Sequence, residues 1–171
     1  MATIPTTSAF TAGEKPTASK LNANGKTALD FLLAPPNLSL RQAVAQSLTN
    51  ATFTALTFDT EVVDTDSMWT SGTDITVKTA GLWQIVGHVS YASNATGGRL
   101  ACIYVNGTEV RRTAVQAVNG LQTTVPISFM TQLAVNDVVT LRAYQASGGA
   151  LNTDVASTAT ASAIQMLWKS I

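Results

Sequence analysis

The feature that most constrains this chain is Asn106-Gly107, set between two β-rich runs, one ending at Val105 and the other starting at Thr108. A two-residue hairpin turn of type I′ needs positive φ at both central positions, and Asn-Gly adopts that backbone at least cost. The two runs are therefore predicted to pair antiparallel, with Val105 opposite Thr108 and Ile103 opposite Val110. Ala101, Ile103, Val105 and Val110 then share a core face. The other face carries Leu100, Cys102 and Tyr104 beside Glu109 and Arg111. Apolar residues on both faces of one strand predict cover on both faces: the second sheet of the domain on one side, and a sister subunit as the candidate on the other.

Period-two alternation recurs along the chain. Over 82–91, Trp83, Ile85, Gly87, Val89 and Tyr91 alternate with Gln84, Val86, His88 and Ser90. Val125, Ile127, Phe129 and Leu133 repeat the pattern, and in 138–145 Val139, Leu141 and Ala143 face in while Thr140, Arg142 and Tyr144 face out. Shorter runs at 53–58, 75–77 and 163–169 complete an all-β antiparallel sandwich over 37–171. Residues 1–36 read differently. The Thr/Ala/Pro-rich stretch 1–16 is predicted to be an extended arm, followed by one short helix capped by Thr17 or Ser19. Leu21, Gly25, Ala28 and Leu32 form its stripe, widened by Leu29 and Leu33, and Pro35-Pro36 ends it. A stripe this narrow does not hold a helix alone, so the segment must dock on something.

Only 12% of the residues are charged, about half the usual share. That shortfall predicts surface covered by other subunits, because interface centres are depleted in charge. Ten acids balance ten bases, so no net field favours nucleic acid or an anionic membrane as a partner. No apolar run spans a bilayer. The opening residues lack the basic and apolar regions of a signal peptide, and a single cysteine, Cys102, fits folding in a reducing cytosol. The Asn-x-Ser/Thr triplets at Asn37, Asn50, Asn94 and Asn106 are accordingly read as chance.

Catalytic chemistry is hard to assemble. Any triad must use His88, the one histidine, which lies mid-strand, as does Cys102. No enzyme activity and no cofactor are expected. Asp59, Glu61, Asp64 and Asp66, with Asp74 nearby, form an acidic cluster that could supply oxygens to calcium, although it lacks the glycine and terminal glutamate of an EF-hand loop. Among the tryptophans, Trp69, near a turn, is the better candidate for stacking on a sugar, since Trp83 alternates in phase with core residues.

The order Thr57-Phe58-Asp59-Thr60-Glu61, Met68-Trp69, Gly81-Leu82-Trp83, Ile103-Tyr104-Val105-Asn106-Gly107, Val139-Thr140-Leu141 and Tyr144-Gln145-Ala146-Ser147-Gly148-Gly149 resembles phage-encoded jelly-roll domains related to the complement-one-q head and tumour necrosis factor. The resemblance covers residues 40–168 and implies a ten-strand jelly roll assembling as a homotrimer. Faces bearing Tyr104, Arg111, Arg142 and Tyr144 are the expected trimer contacts. The opening segment, Phe10-Thr11-Ala12-Gly13-Glu14, Thr17-Ala18, Leu21-Asn22 and Asp30-Phe31-Leu32, is similar to the start of many tailed-phage structural proteins. It implies attachment to other virion proteins, a major capsid or tail protein, through Leu21, Ala28, Leu29 and Leu32. The expected role is a structural protein on the virion exterior. The alternative is a tail module that binds a host-surface glycan.

Overall fold

The computed structural model describes residues 4–6 and 9–171; residues 1–3 and 7–8 of the expected arm lie outside the described residues. Twelve strands follow the N-terminal segment: β1 (Asn37–Arg41), β2 (Ser47–Leu48), β3 (Thr54–Ala55), β4 (Thr60–Asp64), β5 (Ile75–Thr76), β6 (Gly81–Tyr91), β7 (Gly98–Val105), β8 (Thr108–Gln116), β9 (Thr123–Leu133), β10 (Val138–Gln145), β11 (Leu151–Asn152) and β12 (Ala163–Ser170). The first sheet runs β4-β1-β12-β6-β9. The second runs β3-β10-β7-β8, with β5 also paired to β10. The strands pair antiparallel throughout the described residues, and the two sheets hold ten strands between them; β2 and β11 form a separate short pair. The ten-strand expectation is met by the two main sheets.

The alternation read from sequence becomes the core. Trp83, Ile85, Val89 and Tyr91 of β6 are fully buried against Ala101, Ile103, Val139, Leu141 and Ala143 of the second sheet. Tyr91 ties the sheets together. Its hydroxyl donates to the carbonyls of Leu100 and Tyr144 and accepts from the Tyr144 N–H. Burial pushes that phenol well above its ordinary range.

The Asn106-Gly107 turn forms as read, with φ of 50° and 78° and Val105 opposite Thr108. The register then departs from expectation. Tyr104 lies opposite Glu109, but Ile103 lies opposite Arg111, so Val110 is the extra residue of a β-bulge and remains 36% exposed rather than joining the core. One inserted residue exchanges the faces of everything beyond it.

The expected helix is observed from Ala18 to Leu33, but it is not regular. α1 (Ala18–Leu21) and α2 (Thr27–Leu33) flank a π-helical turn, Asn22–Lys26. Thr17 caps the start, its Oγ1 accepting from the Lys20 N–H at 3.2 Å. The turn Asn22-Ala23-Asn24-Gly25-Lys26 contains poor helix formers, and a π turn takes in one more residue than an α turn. Each residue advances a helix by about 100°, so the extra one rotates Leu21 away from the line of Ala28 and Leu32. The face that docks is centred on Phe31, packed edge-on against Trp168 at 4.9 Å.

Candidate interaction surfaces

The sandwich presents three surfaces: a base at one end and the outward face of each sheet. At the base, the helix and Ile4-Pro5 close over Phe31, Trp168 and Ile171 around an apolar cavity of about 190 Å³. Phe31 of the helix and Ile4 of the arm pack against the core. Leu29, Leu32 and Leu33 are 58%, 67% and 82% exposed, Leu21 is exposed too, and Ala28 is half-buried. The segment thus docks on its own sandwich through Phe31 and Ile4 and leaves the expected attachment leucines largely in solvent.

The outward face of the first sheet can be read as cross-strand rows. Val63, Ser39, Gln165, Val86 and Ser128 form one row; Asn37, Leu167, Gln84 and Met130 form the next; Arg41, Ala163, His88 and Pro126 a third. The alternate residues Leu38, Leu40, Ile85, Ile164 and Met166 are buried beneath them. β1, β6, β9 and β12 carry two formal charges in all, Arg41 and Lys169, and no carboxylate. Val86, Met130, Leu167 and Val63 are substantially exposed on this face.

The second sheet is the opposite in character. Three of the residues expected to meet another subunit, Tyr104, Arg142 and Tyr144, do share its outward face. Arg111 does not. The bulge places it opposite the core residue Ile103, and Arg112, opposite Cys102, takes its place. Arg112 grips Glu109 with two bonds of 2.8 and 2.7 Å, and the Tyr104 hydroxyl donates to the same carboxylate at 3.1 Å. The guanidinium holds Glu109 below the usual carboxylate range. Arg142 lies 4.2 Å from the Tyr104 ring centre, Arg112 lies 5.1 Å from that of Phe53, and Phe53 packs against Tyr144 at 4.8 Å. The cover predicted over β7 is therefore supplied within the chain, by long side chains of β8 and β10 and by Phe53, not necessarily by a sister subunit.

Other candidates separate. His88 faces outward on the first sheet, its Nε2–H donating to the Ala161 carbonyl at 2.8 Å; Cys102 is buried beneath the outward layer of the second. Burial, with Glu109 adding to it, pushes the Cys102 thiol up to about 11. The two sit on opposite sheets facing away from each other and form no joint site. The calcium candidates also disperse. Asp59 accepts the N–H groups of Ala43 and Val44, Asp64 those of Asp66 and Trp69, and Asp66 accepts from the Thr79 hydroxyl, while Glu61 is exposed on edge strand β4. No group of three or more His, Cys, Asp or Glu among the described residues is placed to hold a metal ion. Loop closure, not cation binding, uses these carboxylates. Trp69 is half-buried with its indole N–H spent on the Gly72 carbonyl at 3.3 Å, which leaves little ring for a sugar. No helix is long and apolar enough to cross a membrane among the described residues.

Solved structures share this arrangement. The globular domain of zebrafish complement 1qA aligns at TM-score 0.60 and 12% identity, covering 78% of this chain and 96% of that one. Murine APRIL aligns at TM-score 0.63 and 12% identity, over 78% and 98%. The fold is the jelly roll of the complement-one-q and tumour-necrosis-factor heads. Eiger TNF from S. frugiperda aligns likewise, at TM-score 0.59 and 8% identity over 79% of this chain and 94% of that one. No family model and no curated protein sequence matches the chain. Sequence reading missed Phe31, Phe53, Arg112 and the uncharged face of the first sheet. The last was legible in principle as an absence of acids from four strands.

Proposed function

We propose that this chain is a structural subunit on the exterior of a tailed-phage particle, closing into a homotrimer and anchored to a major capsid or tail protein through residues 1–36. The observation that carries the reading is the outward face of the first sheet. Three rows of side chains hold no carboxylate and expose Val63, Val86, Met130 and Leu167. A sheet face this poor in charge matches the buried centre of an oligomer rather than a solvated surface. Its occupant is a second copy of the chain, and the count of three follows from the family resemblance. This moves the self-association surface away from Tyr104, Arg142 and Tyr144, whose hydrogen bonds and ring contacts are met within one subunit. Phage origin rests on the resemblance of the opening segment, and the exposed Leu21, Leu29, Leu32 and Leu33 supply the apolar surface that attachment needs. The reading assigns the chain no catalysis and no cofactor.

The test removes residues 1–36 and follows both assembly and incorporation. A folded trimer that no longer joins particles is expected. Normal incorporation of the truncated protein would sink the anchoring role, and a monomer at micromolar concentration would sink the trimer.

A further inference from the structure

We propose that the outward face of the second sheet binds a carboxylated saccharide, with Arg142 taking the carboxylate and Tyr144 the sugar ring. Arg142 and Tyr144 are two residues apart on β10, so both project from one face about 7 Å apart along the strand. Each ends in unused hydrogen-bonding groups. Arg142 makes one long bond, Nε to the Thr140 hydroxyl at 3.5 Å, and its terminal nitrogens have no partner among the described residues. The Tyr144 hydroxyl likewise has none among them, its recorded bonds being those of its backbone. The one carboxylate in the cluster, Glu109, is already occupied by Arg112 and Tyr104. Among the described residues Arg142 therefore has no counter-ion, while its guanidinium stacks over the Tyr104 ring at 4.2 Å.

A guanidinium held in place with both terminal nitrogens free matches a carboxylate bidentately. The neighbouring ring of Tyr144, held by Phe53 at 4.8 Å with the two planes tilted by 38°, offers an apolar edge and face that suit the C–H groups of a sugar, while Arg112 covers Phe53 itself. An acidic side chain on a peptide would use the guanidinium but has no need of the rings, so the combination favours an acidic sugar such as a uronate or sialate. The face lies on the opposite side of the sandwich from the proposed self-association surface and stays open in the assembly. The inference rests on the exterior reading only for where such a polymer is met, and it deepens the host-surface alternative.

The experiment measures binding of the full chain to oligogalacturonate and to oligosialic acid by calorimetry, with a neutral maltooligosaccharide and poly-glutamate as comparisons. Binding to at least one of the two acidic saccharides is expected, with none to the neutral one. Arg142→Ala should weaken it by about ten- to a hundredfold, the loss of a charged hydrogen-bond pair. Arg142→Lys should restore it only in part, and Tyr144→Leu should weaken it while keeping the fold, which gives a second reading if Arg142→Ala is unstable. Absence of binding to both acidic saccharides overturns the proposal, as does binding indifferent to both variants. Poly-glutamate binding as tightly as the saccharides overturns it in favour of an acidic-protein surface. None of these outcomes bears on particle incorporation, so the attachment reading stands or falls separately.

Discussion

Leu167→Glu is the sharpest test of self-association through the first sheet. Leu167 sits in the row with Asn37, Gln84 and Met130, 39% exposed in the single chain, and the nearest charges on these strands are Arg41 and Lys169 near strand ends. A glutamate there is well solvated in the monomer, so the fold should survive. On closure it would be buried without a partner, at a cost of about 3 kcal/mol after relaxation. Three subunits bring about 9 kcal/mol, a factor of roughly four million in the trimer dissociation constant. The midpoint concentration scales as the square root of that constant and should rise about two-thousandfold. Sedimentation velocity across the nanomolar to micromolar range reads this directly. Tyr144→Glu, on the opposite face, should leave the midpoint in place. A Leu167→Glu protein that remains trimeric at the wild-type midpoint refutes the assignment of this face. A Tyr144→Glu protein that falls apart would return the interface to the second sheet.

Three further perturbations probe the parts the surfaces depend on. Tyr91→Phe removes a hydroxyl that serves two carbonyls and the Tyr144 N–H between the sheets; a loss of about 2 kcal/mol should lower the melting temperature by about 4–8 °C, and an unchanged melt would show that the hydroxyl is dispensable. Phe31→Ala deletes the edge-on contact with Trp168; trypsin should then cut faster after Lys20 or Lys26 while the sandwich melts as before, and unchanged protection would mean another contact holds the helix. Cys102, its thiol pushed by burial up to about 11, should resist iodoacetamide at pH 8 until the protein unfolds. The folded thiol holds its proton to higher pH than the unfolded one, so this stabilisation is complete below about 9 and is lost as pH rises through about 11. Alkylation of the native protein at the rate of a free thiol would contradict the burial.

The fold was legible because alternation is a local property. Trp83, Ile85, Val89 and Tyr91, or Val139, Leu141 and Ala143, declare their face by spacing alone, and Asn106-Gly107 fixes a pairing at a turn that few other dipeptides form. The bulge at Val110 was not legible. A Val-Arg-Arg run offers no glycine or proline to mark the extra residue, and one inserted position was enough to exchange Arg111 for Arg112 on the outward face. The π turn at Asn22–Lys26 hid in the same way, since the stripe through Leu21, Ala28 and Leu32 assumes a constant turn. The acidic cluster failed for a different reason. Asp59 and Asp64 are close in sequence to one another, but each carboxylate is consumed by backbone N–H groups of its own loop. Spacing along the chain says nothing about which acceptor a free N–H finds first.

The shortage of charge, first met as a whole-chain figure, has a location. Apart from edge strand β4, which carries Glu61 and Asp64, the first sheet has two formal charges, Arg41 and Lys169, whereas the outward face of the second gathers Glu109, Arg112 and Arg142. In a two-layer sandwich the inward positions of both sheets obey the same rule, so a difference between sheets can arise only from what their outward positions meet. If both outward faces met water alone, nothing would keep acids from β1, β6, β9 and β12 and cluster arginines on the second sheet. A face cleared of carboxylates suits a copy of itself, because no charge is stranded when it closes. A face that fixes one guanidinium by stacking and leaves its donors empty suits a ligand that arrives carrying the missing negative charge. The two proposals therefore read one asymmetry from its two sides, and they part company in experiment: glutamate at 167 acts on assembly alone, and alanine at 142 on saccharide binding alone.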